Sequence, residues 1–345
     1  MRSFGKALKF ISKAMWAATL PPSLFDRTIS EEESRRLFKQ FVELVEIENH
    51  SYCNRVCWFC PNSFIDRRSF NQVMDSKLFS KIIANLQQID YSGTLVWSRY
   101  HEPLANELIY DRIAQARDLL PNAFLVMTSN GDYLNTESIS LLEKSGLHRL
   151  LLDLYLPDHK EADPTELEVA LEKFINRTKL QLLRTGPRDF KLSGSKISIT
   201  MGAPLFTTSN MSTRGGLMKI PKASTYRRRA TCFAPIRHVV IDYNGRGMVC
   251  CQARSDSESQ ESAIVADLND QRTSLFSYYR DLAPTRSALV RPGQKGGICL
   301  TCDVSDDGPD KLARNETIAT LLRRSGLAAT YQAFAHSKIT RRYET

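Results

Sequence analysis

The chain has 345 residues, 47 basic and 38 acidic, for a formal charge of +9, enough length for about two domains and a sizeable core. Apolar residues at 42% and charged residues at 25% exclude a disordered or fibrous chain. The charge sits at the ends: residues 1–20 carry four bases and no acid, residues 311–345 seven bases and two acids, and the stretch between is formally neutral, which argues against a nucleic-acid-binding body.

The first 40 residues read as a helical extension, with Leu8, Ile11 and Met15 at helical spacing. No stretch approaches the roughly 18 uninterrupted apolar residues of a membrane span, and Lys9 and Lys13 interrupt the signal-like start. Five strands follow, at residues 41–48, 93–98, 123–128, 148–155 and 196–201. Helices at 76–88, 105–119, 136–145 and 165–183 separate them, and this alternation predicts βαβ units and a parallel sheet. After about residue 225 the pattern changes to a hairpin, 238–242 and 247–251, around Tyr243-Asn244-Gly245. A basic C-terminal helix closes the chain at 311–345, with Ile318, Leu321, Leu322 and Leu327 on one face.

Eight cysteines fall in two groups, three between 53 and 60 and five between 232 and 302. A chain of this length needs no disulfide staples, and clustered cysteines point to metal or redox chemistry in a reducing, cytoplasmic compartment. Cys53, Cys57 and Cys60 form a C-x3-C-x2-C loop directly after the first strand. Three thiolates so close can hold three corners of a [4Fe–4S] cluster and leave one iron open; a zinc site completed by a distant residue is the alternative.

This loop resembles that of the radical S-adenosylmethionine (SAM) enzymes, including the aromatic Phe59 before the third cysteine. The resemblance covers roughly residues 40–220 and implies a partial (β/α)6 TIM-like barrel, in which the open iron chelates SAM and a 5′-deoxyadenosyl radical abstracts a substrate hydrogen. It implies cofactor-binding roles at the strands' C-terminal ends. Glu102, in Tyr100-His101-Glu102-Pro103, is similar to the acid of the family's GGEP motif, with two glycines replaced. Ser129 and Asn130 match the turn lining the methionine side, Asp153 and Tyr155 the ribose-contacting positions, and Thr200 or Ser198 could act similarly.

Cys232, Gly245 and Cys250 are spaced like the opening of the SPASM domains attached to many of these enzymes, and Cys299 and Cys302 add a C-x2-C pair. No cysteine follows Cys302. Four ligands suffice for one fully ligated [4Fe–4S] centre, the shortened twitch arrangement, or for a zinc ribbon. The implied organisation is a partial barrel over 41–225 and a small α+β auxiliary domain over 226–310. Two clusters and SAM would be the cofactors, and a flavodoxin- or ferredoxin-type protein the electron donor.

This pattern is similar to aminocyclitol dehydrogenases and radical epimerases of the family. It implies oxidation of a secondary alcohol on a sugar- or aminocyclitol-like substrate, with the second cluster as electron acceptor. Cys251, which strand alternation would turn away from Cys250, suggests the alternative: a thiol returning hydrogen to a substrate radical, on a sugar, aminocyclitol or peptide. A zinc-stabilised nucleic-acid-binding protein is the remaining alternative. Arg214 is a candidate anion ligand or loop cap, and the run Tyr226–Arg229 reads as a solvated face or a reductase contact.

Overall fold

The computed structural model describes residues 17, 20–156, 164–291 and 293–304; the predicted first helix (Leu8, Ile11, Met15) and the C-terminal helix lie outside them. Helix α1 (Glu31–Phe41) starts at Ser30, whose side chain accepts the Glu33 N–H, with Glu31, Glu32 and Glu33 in its first turn, the favoured end for negative charge. It leads into β1 (Leu44–Ile47), shorter than the predicted strand because the helix takes its first residue.

Helix α2 (Ser76–Gln87), capped by Asp75, buries Leu78, Phe79, Ile82, Ile83 and Leu86, one face of the helix. Strand β2 is Thr94–Trp97, α3 Leu108–Leu119, β3 Phe124–Ser129, α4 Thr136–Ser145 and β4 Arg149–Asp153. Gly146 ends α4 at φ 84°, a left-handed position suited to glycine. Helix α5 (Pro164–Thr178) is shorter than the predicted 165–183. It stops before Lys179, itself at φ 58°, and the chain then forms an antiparallel pair, β5 (Gln181–Arg184) and β6 (Asp189–Ser193), before β7 (Ser198–Gly202).

Among the described residues the strands make one ten-stranded sheet in the order β10-β9-β8-β1-β2-β3-β4-β7-β6-β5. Strand β8 (His238–Ile241) pairs parallel with β1, from Leu44 opposite His238 to Ile47 opposite Ile241. Six strands, β8-β1-β2-β3-β4-β7, are therefore parallel, the sixth being one that sequence reading assigns to the hairpin of the auxiliary segment. The hairpin itself forms: β9 (Arg246–Met248) runs antiparallel to β8, and β10 (Ile264–Asp267) antiparallel to β9. Strand β9 ends at Met248, so Cys250 and Cys251 occupy a turn; the Val249 N–H leaves the β8 ladder and donates to Ala263 O. The sheet runs unbroken past the expected boundary at 225/226.

Helix α6 (Leu275–Asp281) carries Phe276 and Tyr279, whose rings meet Phe38 of α1 edge-on at 5.6 and 5.4 Å, so the described part of the N-terminal segment packs against the C-terminal part. No helix among the described residues is long and apolar enough to cross a membrane.

Candidate active site

The loop after β1 is fixed at several points. The Cys53 N–H donates to Arg67 O and the Cys60 N–H to Cys57 O. Arg55 makes a two-pronged pair with Asp132, 2.7 Å on each oxygen, and donates to Tyr155 O at 3.1 Å. Asn54 donates to Asp132 and accepts from the Asn130 amide. The loop is thus clamped to the turn after β3 and the end of β4, a planar two-bond contact that holds geometry as well as charge.

Beside it lies a cavity of about 260 Å³. Cys53, Cys57, Cys60, Phe59, Glu102, Ser129, Asn130, Asp153, Tyr155 and Cys251, each singled out in the sequence, line it together. Thr200 is on β7 opposite Leu151 and is not among the lining residues. Glu102 is buried; its carboxyl accepts the Ser129 hydroxyl, the Asn130 N–H and the Leu104 N–H. It caps the short turn Pro103–Ala105 rather than the longer helix, which starts only at Leu108. Burial pushes this carboxyl up to about 7 despite those three donors. Phe59 stacks on Phe206 with ring centres 3.8 Å apart and lies 4.9 Å from Tyr155, whose hydroxyl donates to Asp153 at 3.0 Å.

A second cavity, of about 210 Å³, is lined by Cys232, Cys250, Cys299 and Cys302. Cys251 and Gln252 line both cavities and form the wall between them. Cys251 thus faces the first cavity through a turn rather than strand alternation. Burial raises Cys299 to about 12 and Cys251 to about 11, and Cys250 and Cys302 are also raised. Burial also raises Cys53 to about 12.

Several lining residues escape sequence reading. Glu46, in the middle of β1, turns into the first cavity while Val45 and Ile47 turn to the core. Arg99 stands at φ 89°, a strained position for arginine, held by bonds to Asp242 and Ala253 O. Arg214, by contrast singled out in the sequence as a candidate anion ligand or loop cap, also lines the first cavity, 3.4 Å from the Gln252 amide oxygen. Arg228, expected on a solvated face, is 1% exposed and lines the second cavity; apolar neighbours and its donation to Val304 O draw it inward. The only signals in the sequence are a charge inside an apolar strand for Glu46 and the nearness of Arg228 to Cys232.

The donor chemistry suits iron–sulfur clusters. Burial holds these thiols protonated, and coordination to a metal is what would ionise them. Among the described residues no three His, Cys, Asp or Glu side chains converge on one point for a single ion. A cluster needs no such convergence, because each thiolate binds a different iron. The Arg228 Nε has no hydrogen-bond partner, and among the described residues its guanidinium meets no acid, so a negatively charged occupant of the second cavity would complete it. The first cavity offers three thiols and a polar wall, which fits a cluster with one iron left for another ligand.

No family profile matches the chain. The S-adenosyl-L-methionine-dependent 2-deoxy-scyllo-inosamine dehydrogenase of Niallia circulans is 21% identical over 264 residues, 75% of this chain and 92% of that protein. The fold is similar to that of BtrN in complex with AdoMet and 2-DOIA, with TM-score 0.51 and 18% identity over 77% of this chain and 97% of that one. Native anSMEcpe with bound AdoMet aligns at TM-score 0.47 and 11% identity, over 84% of this chain and 99% of that one.

Proposed function

We propose, from the likeness to an S-adenosyl-L-methionine-dependent dehydrogenase and from the two thiol-lined cavities, that this chain is a radical SAM enzyme that oxidises a secondary alcohol of a small amino- or polyhydroxylated ring to a ketone. The observation that carries the reading is the pair of thiol-lined cavities sharing one wall, Cys251 and Gln252. Removing two electrons needs a place for the second one, and four cysteines around the second cavity offer a fully ligated acceptor.

Cys53, Cys57 and Cys60 would hold the first cluster, and Cys232, Cys250, Cys299 and Cys302 the second. Bound SAM and the clusters supply hydrogen abstraction and electron transfer; everything else is done by side chains. Arg55 and Asn54 keep the cysteine loop against the β3 turn. Glu102 shapes that turn, holding Ser129 and Asn130 in place on the cavity wall. Phe59 and Phe206 form an apolar shelf suited to a stacked adenine, while Asp153 and Tyr155 present oxygens suited to ribose hydroxyls. Thr200 has no contact supporting the same role.

Anaerobic incubation with 2-deoxy-scyllo-inosamine, the compound for which the Niallia circulans relative is named, tests the reading. A product about two mass units lighter supports it; a product of unchanged mass in water contradicts it. The second reading, epimerisation, is favoured by the Cys251 side chain reaching the first cavity. In it the thiol donates a hydrogen atom, and product formed in D2O would be about one unit heavier.

A further inference from the structure

Glu46 and Asp153 are the acids of the first cavity that the fold leaves least committed, each accepting one hydroxyl, and of the two it is Glu46 that lies beside Cys251 in the shared wall. Glu102, the third lining acid, accepts three donors. Nearby Glu48 and Asp242 take the ion pairs of Arg67 and Arg99. Glu46 receives one hydroxyl, from Ser98, and no ion pair. It is 8% exposed, and what it shows faces the cavity.

Its surroundings come from every element packed on that side. They are Glu48 beyond β1, Ser98 and Arg99 beyond β2, Arg214 after β7, and Cys251 after β9. Burial, with help from Glu48, pushes its carboxyl up on balance, while Arg99, Ser98 and Arg214 pull the other way. A carboxyl balanced in this way can take and release a proton. It lies beside Cys251, in the wall through which an electron would leave.

We propose that Glu46 is the proton acceptor of the oxidation, placed where proton and electron leave the substrate together. The inference rests on the oxidation reading above. After hydrogen abstraction the radical carbon bears a hydroxyl. Its O–H bond breaks, the proton goes to the Glu46 carboxylate, the C=O double bond forms, and the remaining electron reduces an oxidised iron–sulfur centre in the second cavity by one.

Two measurements on the reconstituted full chain test this, after iron content and SAM binding have been matched between wild type and Glu46→Gln. The first needs no substrate: the potential of the second cluster is titrated from about pH 6 to 9. In wild type it falls as pH rises, because reduction draws a proton onto Glu46, and in Glu46→Gln that dependence disappears. The second uses 2-deoxy-scyllo-inosamine: ketone formed per 5′-deoxyadenosine falls about 100-fold in Glu46→Gln, while 5′-deoxyadenosine still forms and a substrate radical accumulates in electron paramagnetic resonance. Glu46→Asp keeps the carboxyl and recovers part of the yield; it also serves if the glutamine variant does not fold.

An unchanged pH dependence, or an unchanged ketone ratio, overturns the role of Glu46 alone. A wild-type product of unaltered mass overturns the oxidation reading instead, and is recognised before any variant is made.

Discussion

The carboxyl of Glu102 accepts the backbone N–H of Asn130 at 2.8 Å, joining the turn after β2 to the turn after β3. The same carboxyl takes the Ser129 hydroxyl at 2.7 Å, so both turns at the first cavity are set by one buried acid. Burial carries this acid from an ordinary 4.5 to about 7. Between those values the folded chain holds more protons than the unfolded one, so stability falls as pH rises through that window. The loss is roughly 3 kcal/mol at most. In cofactor-free protein, denaturation at about pH 5 and pH 7.5 will show the decline, and Glu102→Gln will flatten it.

The location of Glu102 was legible because an acid followed by proline stood directly after a strand, whereas its partners were not. Sequence gives the order of strands but not which turns meet. The cysteines were legible for a similar reason, since their ligating chemistry survives any detail of packing. The sixth parallel strand was hidden: Val239–Ile241 is as apolar as any strand, but nothing local says that it pairs with β1, 194 positions away by the Leu44–His238 register. The start of β5 falls inside the expected helix 165–183 because Leu180, Leu182 and Leu183 continue its apolar content, and β6 lies beyond any element expected from the sequence. Glu46 and Arg228 looked like ordinary charges, since burial of a charge is a tertiary property.

Arg55 is expected to be irreplaceable by lysine. Its guanidinium bonds both oxygens of Asp132 and also Tyr155 O, and lysine can keep only one of these at a time. Arg55→Lys should cost about 1–2 kcal/mol in this half-buried setting and lower iron retention at the first site, measured as iron per chain after gel filtration.

Gly245 stands at φ 80°, and a Cβ there would meet the Asn269 amide and Leu78 at 2.7 Å. Gly245→Ala therefore combines backbone strain with a clash and should cost about 2 kcal/mol or more. Thermal denaturation will read this as a lowered Tm, and the effect on the second cavity as loss of its iron.

Arg228 faces the four-thiol cavity with its Nε unpartnered and favours ionisation of Cys299 and Cys302. A fixed positive charge favours the more negative, reduced state of a cluster. Arg228→Gln should lower the potential of the second cluster by about 1 kcal/mol, tens of millivolts for one electron, as a redox titration will show.

Cys251→Ala separates the two reactions. Under oxidation the ketone yield stays within about threefold of wild type, since no hydrogen is returned to carbon. Under epimerisation the variant still forms 5′-deoxyadenosine but loses the isomerised product. Mass spectrometry of reactions run in D2O reads both outcomes.

The central claim is that the two cavities hold two separate clusters. Iron and sulfide analysis of anaerobically prepared wild type against Cys299→Ala/Cys302→Ala tests it most directly. The account predicts about eight irons per chain in wild type and about four in the variant, with SAM still perturbing the remaining cluster's spectrum. About four irons in both proteins, or zinc at one per chain, would contradict it.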